Sequence, residues 1–303
     1  MTRILFILCV GPLLSQEPPQ TIALRKLVGE TPRLPMKLTE FALRPPLPLE
    51  MVSSTAVTRD GLICILQRGL KADPIIIAKP DGTVVRSWGK GMYTIPHSIR
   101  IDPEGNLWTI DAGDSTIRKF TLLGKQLLRT SVELPAKPKG EFCGTTDIAF
   151  ARDGNFLVSD GYQNTRVVEF TRDGKRVREW GTAGTGPGQL NTPHGIAIAQ
   201  DGTVYVADRE NGRIQRFTRQ GRYLGEWNHA GKTFSLKLAQ GALWIGTQPR
   251  NVPNGAEGWL MKLDLKTGKV LGLLESFGHS IEVAPDGTVL TGRRPGSLLV
   301  FRP

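Results

Sequence analysis

Short apolar runs rich in Val, Ile and Leu recur along the chain from Ser53 to its end, and none of them carries the three-to-four spacing of an amphipathic helix. The runs come in pairs. Asp60-Gly61, Glu104-Gly105, Asp153-Gly154, Asp201-Gly202 and Asp286-Gly287 each stand between two of them, the turn chemistry of a β-hairpin. A second set of turns, at Asp81-Gly82, Leu123-Gly124, Asp173-Gly174, Gln220-Gly221 and Thr267-Gly268, separates a third strand from a fourth. The pattern predicts an all-β chain with essentially no helix in the repeated part.

The hairpins fall into six segments of one plan, beginning near Ser54-Thr55-Ala56, Pro96-His97-Ser98, Thr146-Asp147-Ile148, Pro193-His194-Gly195, Phe234-Ser235-Leu236 and Gly278-His279-Ser280. Their spacing, roughly 40 to 50 residues, is the length of a four-stranded propeller blade. A six-bladed β-propeller over residues 53–303 follows. The sixth repeat supplies only three strands, Ser280 to Val283, Thr288 to Thr291 and Ser297 to Phe301. A strand from the preceding segment, residues 17–52, is therefore expected to complete that blade, from within Leu24 to Leu43, so that the ring closes without an exposed edge. Residues 248–258, rich in Pro, Asn and Gly, read as a longer loop at one end of blade five.

The chain opens with Met-Thr-Arg, an apolar run from Ile4 to Leu14 and the polar, proline-rich Ser15-Gln16-Glu17-Pro18-Pro19. Residues 1–16 read as a secretory signal peptide, because about eleven apolar residues are too few to span a bilayer. The expected location is secreted or periplasmic, without stable membrane insertion. Leu8 before Cys9 argues against a lipoprotein signal, and Cys64 and Cys143, which lie in separate repeats, are expected to be free thiols.

A formal charge of +11 raises the question of nucleic acid. The basic residues, among them Arg166, Arg172, Lys175, Arg176, Arg178, Arg213, Arg216 and Arg219, punctuate strand edges and turns instead of forming a stripe. No nucleic-acid partner is expected; acidic substrates and surfaces remain compatible with the charge.

Three of the four histidines, His97, His194 and His279, occupy the same phrase of the repeat: Pro-His-Ser-Ile, Pro-His-Gly-Ile and Gly-His-Ser-Ile. In a propeller the first strand of each blade lines the channel, so repeats two, four and six place the three imidazoles about 120° apart at one height. Three protein ligands with an open axial position are how a catalytic zinc is held, although copper, iron, nickel or cobalt also take imidazole. His229 lies outside this register and reads as a loop residue. Strand two runs back toward the same mouth of the channel, which brings Arg68, Tyr162 and Arg209 around the proposed ion. Two guanidiniums beside a cation call for an anion between them, hence a substrate carrying a carboxylate. Asp111, Asp160 and Asp208, one at the corresponding turn of repeats two to four, read as turn-capping carboxylates.

The phrases Phe142-Cys143-Gly144-Thr145-Thr146-Asp147-Ile148, Val158-Ser159-Asp160-Gly161-Tyr162-Gln163-Asn164-Thr165-Arg166 and Val206-Ala207-Asp208-Arg209-Glu210-Asn211-Gly212-Arg213-Ile214-Gln215 resemble the peptidyl-α-hydroxyglycine α-amidating lyase family, a branch of the NHL-repeat six-bladed propellers. The resemblance runs from about Ser53 to the C-terminus and is strongest between Pro96 and Phe217. It implies a C–N lyase that releases glyoxylate and a peptide amide from a C-terminal α-hydroxyglycine. It also implies zinc on His97, His194 and His279, Tyr162 as the catalytic tyrosine, and Arg68 and Arg209 as active-site arginines. The chain departs from the family pattern at Gln163, Tyr205 and Arg216, where disulfide cysteines are expected, and at Phe277, where a methionine is expected. Ser280 stands where the family's structural Ca²⁺ has an acidic ligand, next to carbonyls near Thr55 and Ile99. Two other readings are a non-catalytic NHL propeller that binds a peptide, glycan or protein, and a calcium-dependent lactone or ester hydrolase. The first does not call for three histidines and a tyrosine on one axis; the second calls for carboxylate and amide ligands.

Overall fold

The computed structural model describes residues 17–134, 139–228, 231–293 and 296–303. Six four-stranded antiparallel sheets are arranged as the blades of a propeller. Five are continuous in sequence, with innermost strands Met51–Val57, Pro96–Ile101, Asp147–Phe150, Pro193–Ile198 and Lys232–Ala239. The sixth combines Glu282–Val283, Val289–Arg293 and Ser297–Arg302 with Lys37–Phe41, which pairs antiparallel to Ser297–Arg302 from Lys37 opposite Arg302 to Phe41 opposite Leu298. Segments far apart in the sequence thus share one sheet, and among the described residues this pairing closes the sixth blade.

Position within a blade explains burial. Inner strands are covered by their own sheet and by neighbouring blades, so Asp147–Phe150 and Pro193–Ile198 are buried along nearly their whole length. Fourth strands face solvent and keep charged residues, as in Arg176–Trp180. Apolar clusters fill the spaces between adjacent blades: Trp108, Ile110, Phe156 and Phe170 join blades two and three, and Leu157, Ile196, Val206 and Phe217 join three and four. Trp180, closing the fourth strand of blade three, lies over the turn of blade four at Gly221. There φ is +88° and a β-carbon would stand 2.4 Å from the indole, so no other residue fits.

The segment before the repeats contains an element that the apolar pattern did not announce, an α-helix at Pro19–Glu30. Pro19 sits in its first turn, where its fixed φ helps and its missing N–H costs nothing. Thr21, Leu24 and Val28 are buried on one face, and the two apolar ones join Trp227, Trp259 and Leu273 in the core of blades four and five. Hydrogen bonds from Thr21 to Asn251 and an ion pair between Arg25 and Glu257 fasten the helix to the long loop of blade five. Consequently only the second half of the Leu24–Leu43 window is strand. The expected signal peptide, residues 1–16, and His229 lie outside the described residues. Among the described residues no helix is long and apolar enough to cross a membrane.

Candidate metal centre

A change of register marks the inner strands at one level of the channel. It falls between Val52 and Ser54 in blade one, Pro96 and Ser98 in blade two, Pro193 and Ile196 in blade four, and Thr233 and Ser235 in blade five. A bulge frees one residue from the ladder and re-aims its side chain. In blades two and four the freed residue is His97 or His194, turned into the channel. In blades one and five it is Ser53 or Phe234, and what matters there is the released carbonyl: His279 Nδ1 lies 3.2 Å from Ser53 O, and His194 Nδ1 lies 2.5 Å from Phe234 O. His97 Nδ1 makes the same contact with Thr146 O of blade three at 2.7 Å. Odd-numbered blades therefore supply acceptors that orient the imidazoles of even-numbered ones.

Because a carbonyl only accepts, each Nδ1 carries the proton and each Nε2 presents its lone pair to the axis. This is the tautomer a metal-binding histidine needs, fixed by its outer hydrogen bond. The ring centroids form a nearly regular triangle with sides of 4.9, 4.9 and 5.2 Å, and one ligand atom from each ring lies within 4.8 Å of the other two. His97 and His194 are buried, and that burial, with the neighbouring rings and arginines, holds their pKa well below the usual value. Neutral imidazoles at pH 7 offer their lone pairs without proton competition, so the set suits an ion that accepts imidazole nitrogen.

Tyr162 covers the set from the mouth. Its hydroxyl is 2.9 Å from His97 Nε2 and 3.2 Å from His194 Nε2. Burial pushes the phenol pKa up, and Arg209 and Arg68 pull against it. The sequence lets Tyr162 reach in because Gly161 precedes it: a β-carbon there would stand 1.9 Å from the carbonyl oxygen of Pro193. Arg209 lies 5.4 Å from the Tyr162 ring and 5.2 Å from that of Phe234, with its Nε donating to Glu210 at 2.9 Å. Arg68 lies over Phe142 at 5.2 Å and donates to Pro96 O at 3.0 Å. The structure thus brings all six sequence-predicted residues to one place. Phe142 and Phe234, the platforms under the guanidiniums, are additions; Phe234 was visible only as the residue standing in the histidine register of repeat five.

A cleft of about 1250 Å³ opens above the centre, lined by Arg68, Phe142, Tyr162, Arg209, Phe234 and His279. Phe277, in edge contact with Phe234 at 5.2 Å, and the Asn254–Gly258 part of the long loop form its wall over blade five. Asp111, Asp160 and Asp208 do not enter it. Asp111 accepts from the backbone of Thr94 and Ile95, Asp160 pairs with Arg166, and Asp208 pairs with Arg213. Cys64 and Cys143 are both free, and burial pushes the Cys64 thiol up to about 12.

The channel below the histidines does not fit calcium. Its lining includes the hydroxyls of Ser53, Ser54 and Ser280 and the Arg100–Asp147 ion pair. Calcium sites are built from carboxylate and carbonyl oxygens. The position where the family resemblance implies an acidic ligand is Ser280, and the lining carboxylate, Asp147, is already paired with Arg100.

Residues 190–217 match the NHL repeat model. The peptidylglycine α-amidating monooxygenase of Rattus norvegicus is 34% identical over 166 residues, which are 50% of this chain and 17% of that protein. A probable peptidyl-α-hydroxyglycine α-amidating lyase of Caenorhabditis elegans is 26% identical over 250 residues, 75% of this chain and 69% of the relative. The chain thus spans about a sixth of the long rat relative and about two thirds of the nematode one. Among solved structures, a streptogramin B lyase superposes with a TM-score of 0.60 at 17% identity, covering 88% of this chain and 97% of that one, a likeness of fold. With an NHL repeat and several lyase-named matches, the chain is similar to the peptidyl-α-hydroxyglycine α-amidating lyases.

Proposed function

We propose that the protein is a zinc-dependent carbon–nitrogen lyase that cleaves a peptidyl-α-hydroxyglycine, or a related carbinolamide, to an amide and glyoxylate. The observation that carries this reading is the convergence of three Nε2 lone pairs with the Tyr162 hydroxyl beneath an arginine-lined cleft. His97, His194 and His279 would hold the ion, which when bound supplies Lewis acidity toward the substrate hydroxyl.

The chain's own groups account for the rest of the chemistry. Arg68 and Arg209 face the cleft on aromatic supports, a geometry suited to the planar fork that a guanidinium offers a glycine carboxylate. Tyr162 accepts the α-hydroxyl proton; the C–O bond becomes a carbonyl as the C–N bond breaks, and the proton returns to the departing amide nitrogen. No water and no external oxidant enter the balance. Arg209 and Arg68 favour the phenolate, against the burial that raises the phenol pKa.

Metal analysis of the purified protein, with glyoxylate release from α-hydroxyhippurate by wild type, His194→Ala and Tyr162→Phe, tests the proposal. Stoichiometric zinc is expected in wild type, together with turnover; both variants should lose the turnover, and only His194→Ala the full metal content. Metal without turnover would move the substrate assignment, and absence of metal would overturn the mechanism. A non-catalytic propeller leaves the oriented imidazoles without a task. We also propose a secreted or periplasmic location, from the reading of residues 1–16 as a signal peptide, to be checked by N-terminal sequencing of exported material.

A further inference from the structure

In the channel lining shared with the three histidines, the carboxylate of Asp147 is saturated. Oδ1 accepts from Ser98 Oγ at 2.6 Å and from Ile148 N at 2.9 Å, and Oδ2 accepts from Arg100 Nη2 at 2.7 Å and from Ile196 N at 3.4 Å. Four donors fill what a carboxylate offers, leaving no oxygen lone pair for an ion. Both partners of the ion pair are buried, with side-chain exposures of 9% and 4%. The other carboxylate on an inner strand, Glu282 of blade six, is engaged by Lys237 of blade five at 2.6 Å. Asp147, the acidic residue in the lining of this part of the channel, is therefore neutralised by Arg100 of the neighbouring blade. The oxygens left over, the orphaned hydroxyls of Ser53, Ser54, Thr55 and Ser280, are neutral.

The donors to Asp147 also have a place in the sequence. Ser98 follows His97; Asp147 itself follows Thr146, whose carbonyl accepts from His97 Nδ1; Ile196 stands two residues beyond His194. One carboxylate thus joins blades two, three and four beside two of the three imidazoles. Nη1 of Arg100 stands 3.5 Å from the carbonyl of Ile99, near which the family resemblance sets the calcium.

We infer that the Arg100–Asp147 ion pair is the built-in cation and strut of the channel floor: the guanidinium replaces a structural divalent ion, and Asp147 is a positioning residue for His97 and His194. The second half rests on the metal reading above; the first does not. A divalent ion beside Arg100 would find no free carboxylate, only neutral oxygens and a guanidinium already paired with Asp147, so the protein is calcium-independent, and its histidine geometry is set by an ion pair that no chelator removes.

The test begins with wild type stripped of calcium and reloaded with Zn²⁺ or Co²⁺. Calorimetric titration with Ca²⁺ is expected to show no binding, and Ca²⁺ is expected to leave the melting temperature unchanged. Asp147→Asn and the milder Ser98→Ala, which deletes one donor and keeps the ion pair, are then compared in Co²⁺ absorption and in competition against a chromophoric chelator. Both should perturb the Co²⁺ bands, and Asp147→Asn should lose about ten- to a hundredfold in metal affinity, the usual cost of disturbing an outer-shell partner. Arg100→Met combined with Ser280→Asp should acquire Ca²⁺-dependent melting. Saturable Ca²⁺ binding that raises the melting temperature of wild type would overturn the charge replacement. Wild-type Co²⁺ spectra and affinity in both Asp147→Asn and Ser98→Ala would overturn the positioning role. Failure of wild type to take up Co²⁺ or Zn²⁺ would sink the metal reading and the positioning role with it, while the calcium titration would still decide the charge replacement.

Discussion

Gly161→Ala gives a sharp test of how Tyr162 is placed. A β-carbon at 161 would stand 1.9 Å from the Pro193 oxygen and 2.8 Å from the carbon of that carbonyl, backbone atoms that cannot swing aside like a flexible side chain. Relief requires the strand end carrying Tyr162 and the strand start carrying His194 to part by about 1 Å. A misplacement of that size at reacting groups costs on the order of a hundredfold in rate, and overpacking costs about 1 to 3 kcal/mol of stability. The matched control is Gly29→Ala in the helix, where a β-carbon meets nothing within 4 Å and Ala is preferred over Gly by up to about 1 kcal/mol. Urea unfolding and the glyoxylate assay, run on both variants, should show Gly161→Ala destabilised and slow, and Gly29→Ala at least as stable as wild type with full activity. Wild-type stability and turnover in Gly161→Ala would show that the two strand ends are not held as close as described.

Tyr162→Phe should keep its metal content and lose about a hundredfold or more in kcat, as expected when a proton acceptor is removed; metal analysis and steady-state kinetics check both halves. Leu24→Ala, in the buried face of the helix, should cost about 2 to 4 kcal/mol in urea unfolding, with the cleft's activity preserved under native conditions. The metal-free protein should lose stability as pH falls from the unfolded histidine value of about 6.5, because His97 and His194 resist protonation when folded and accept it when unfolded. Melting curves from pH 5 to about 8 should flatten in His97→Gln/His194→Gln. Reductant should leave the melting temperature unchanged, since Cys64 and Cys143 are not joined.

The architecture was legible because a propeller writes each blade as two Gly-marked hairpins, and a missing fourth strand in repeat six demands a partner from elsewhere. The histidines were legible for the same reason: a residue that recurs at one register position recurs at one height of the channel. The helix escaped because its apolar face is only Thr21, Leu24 and Val28, set between a proline-rich stretch and a strand. The orienting carbonyls of Ser53, Thr146 and Phe234 escaped for another reason. Backbone oxygens leave no residue-type signature; a register shift releases those of Ser53 and Phe234, and Thr146 stands just before its strand begins. Arg100 and Asp147 are ordinary strand residues on paper, and their partnership depends on two blades meeting at an axis.

The pairing of Lys37–Phe41 with Ser297–Arg302 has a consequence for how the centre is assembled. His279 is contributed by the blade whose outer edge is that early strand, so the blade that carries the third histidine is complete only once the segment at 37–41 has met the one at 298–302. Closure of the three-histidine cluster is then a report on circular completion, and an unfinished or nicked ring would be left with two imidazoles in place of three.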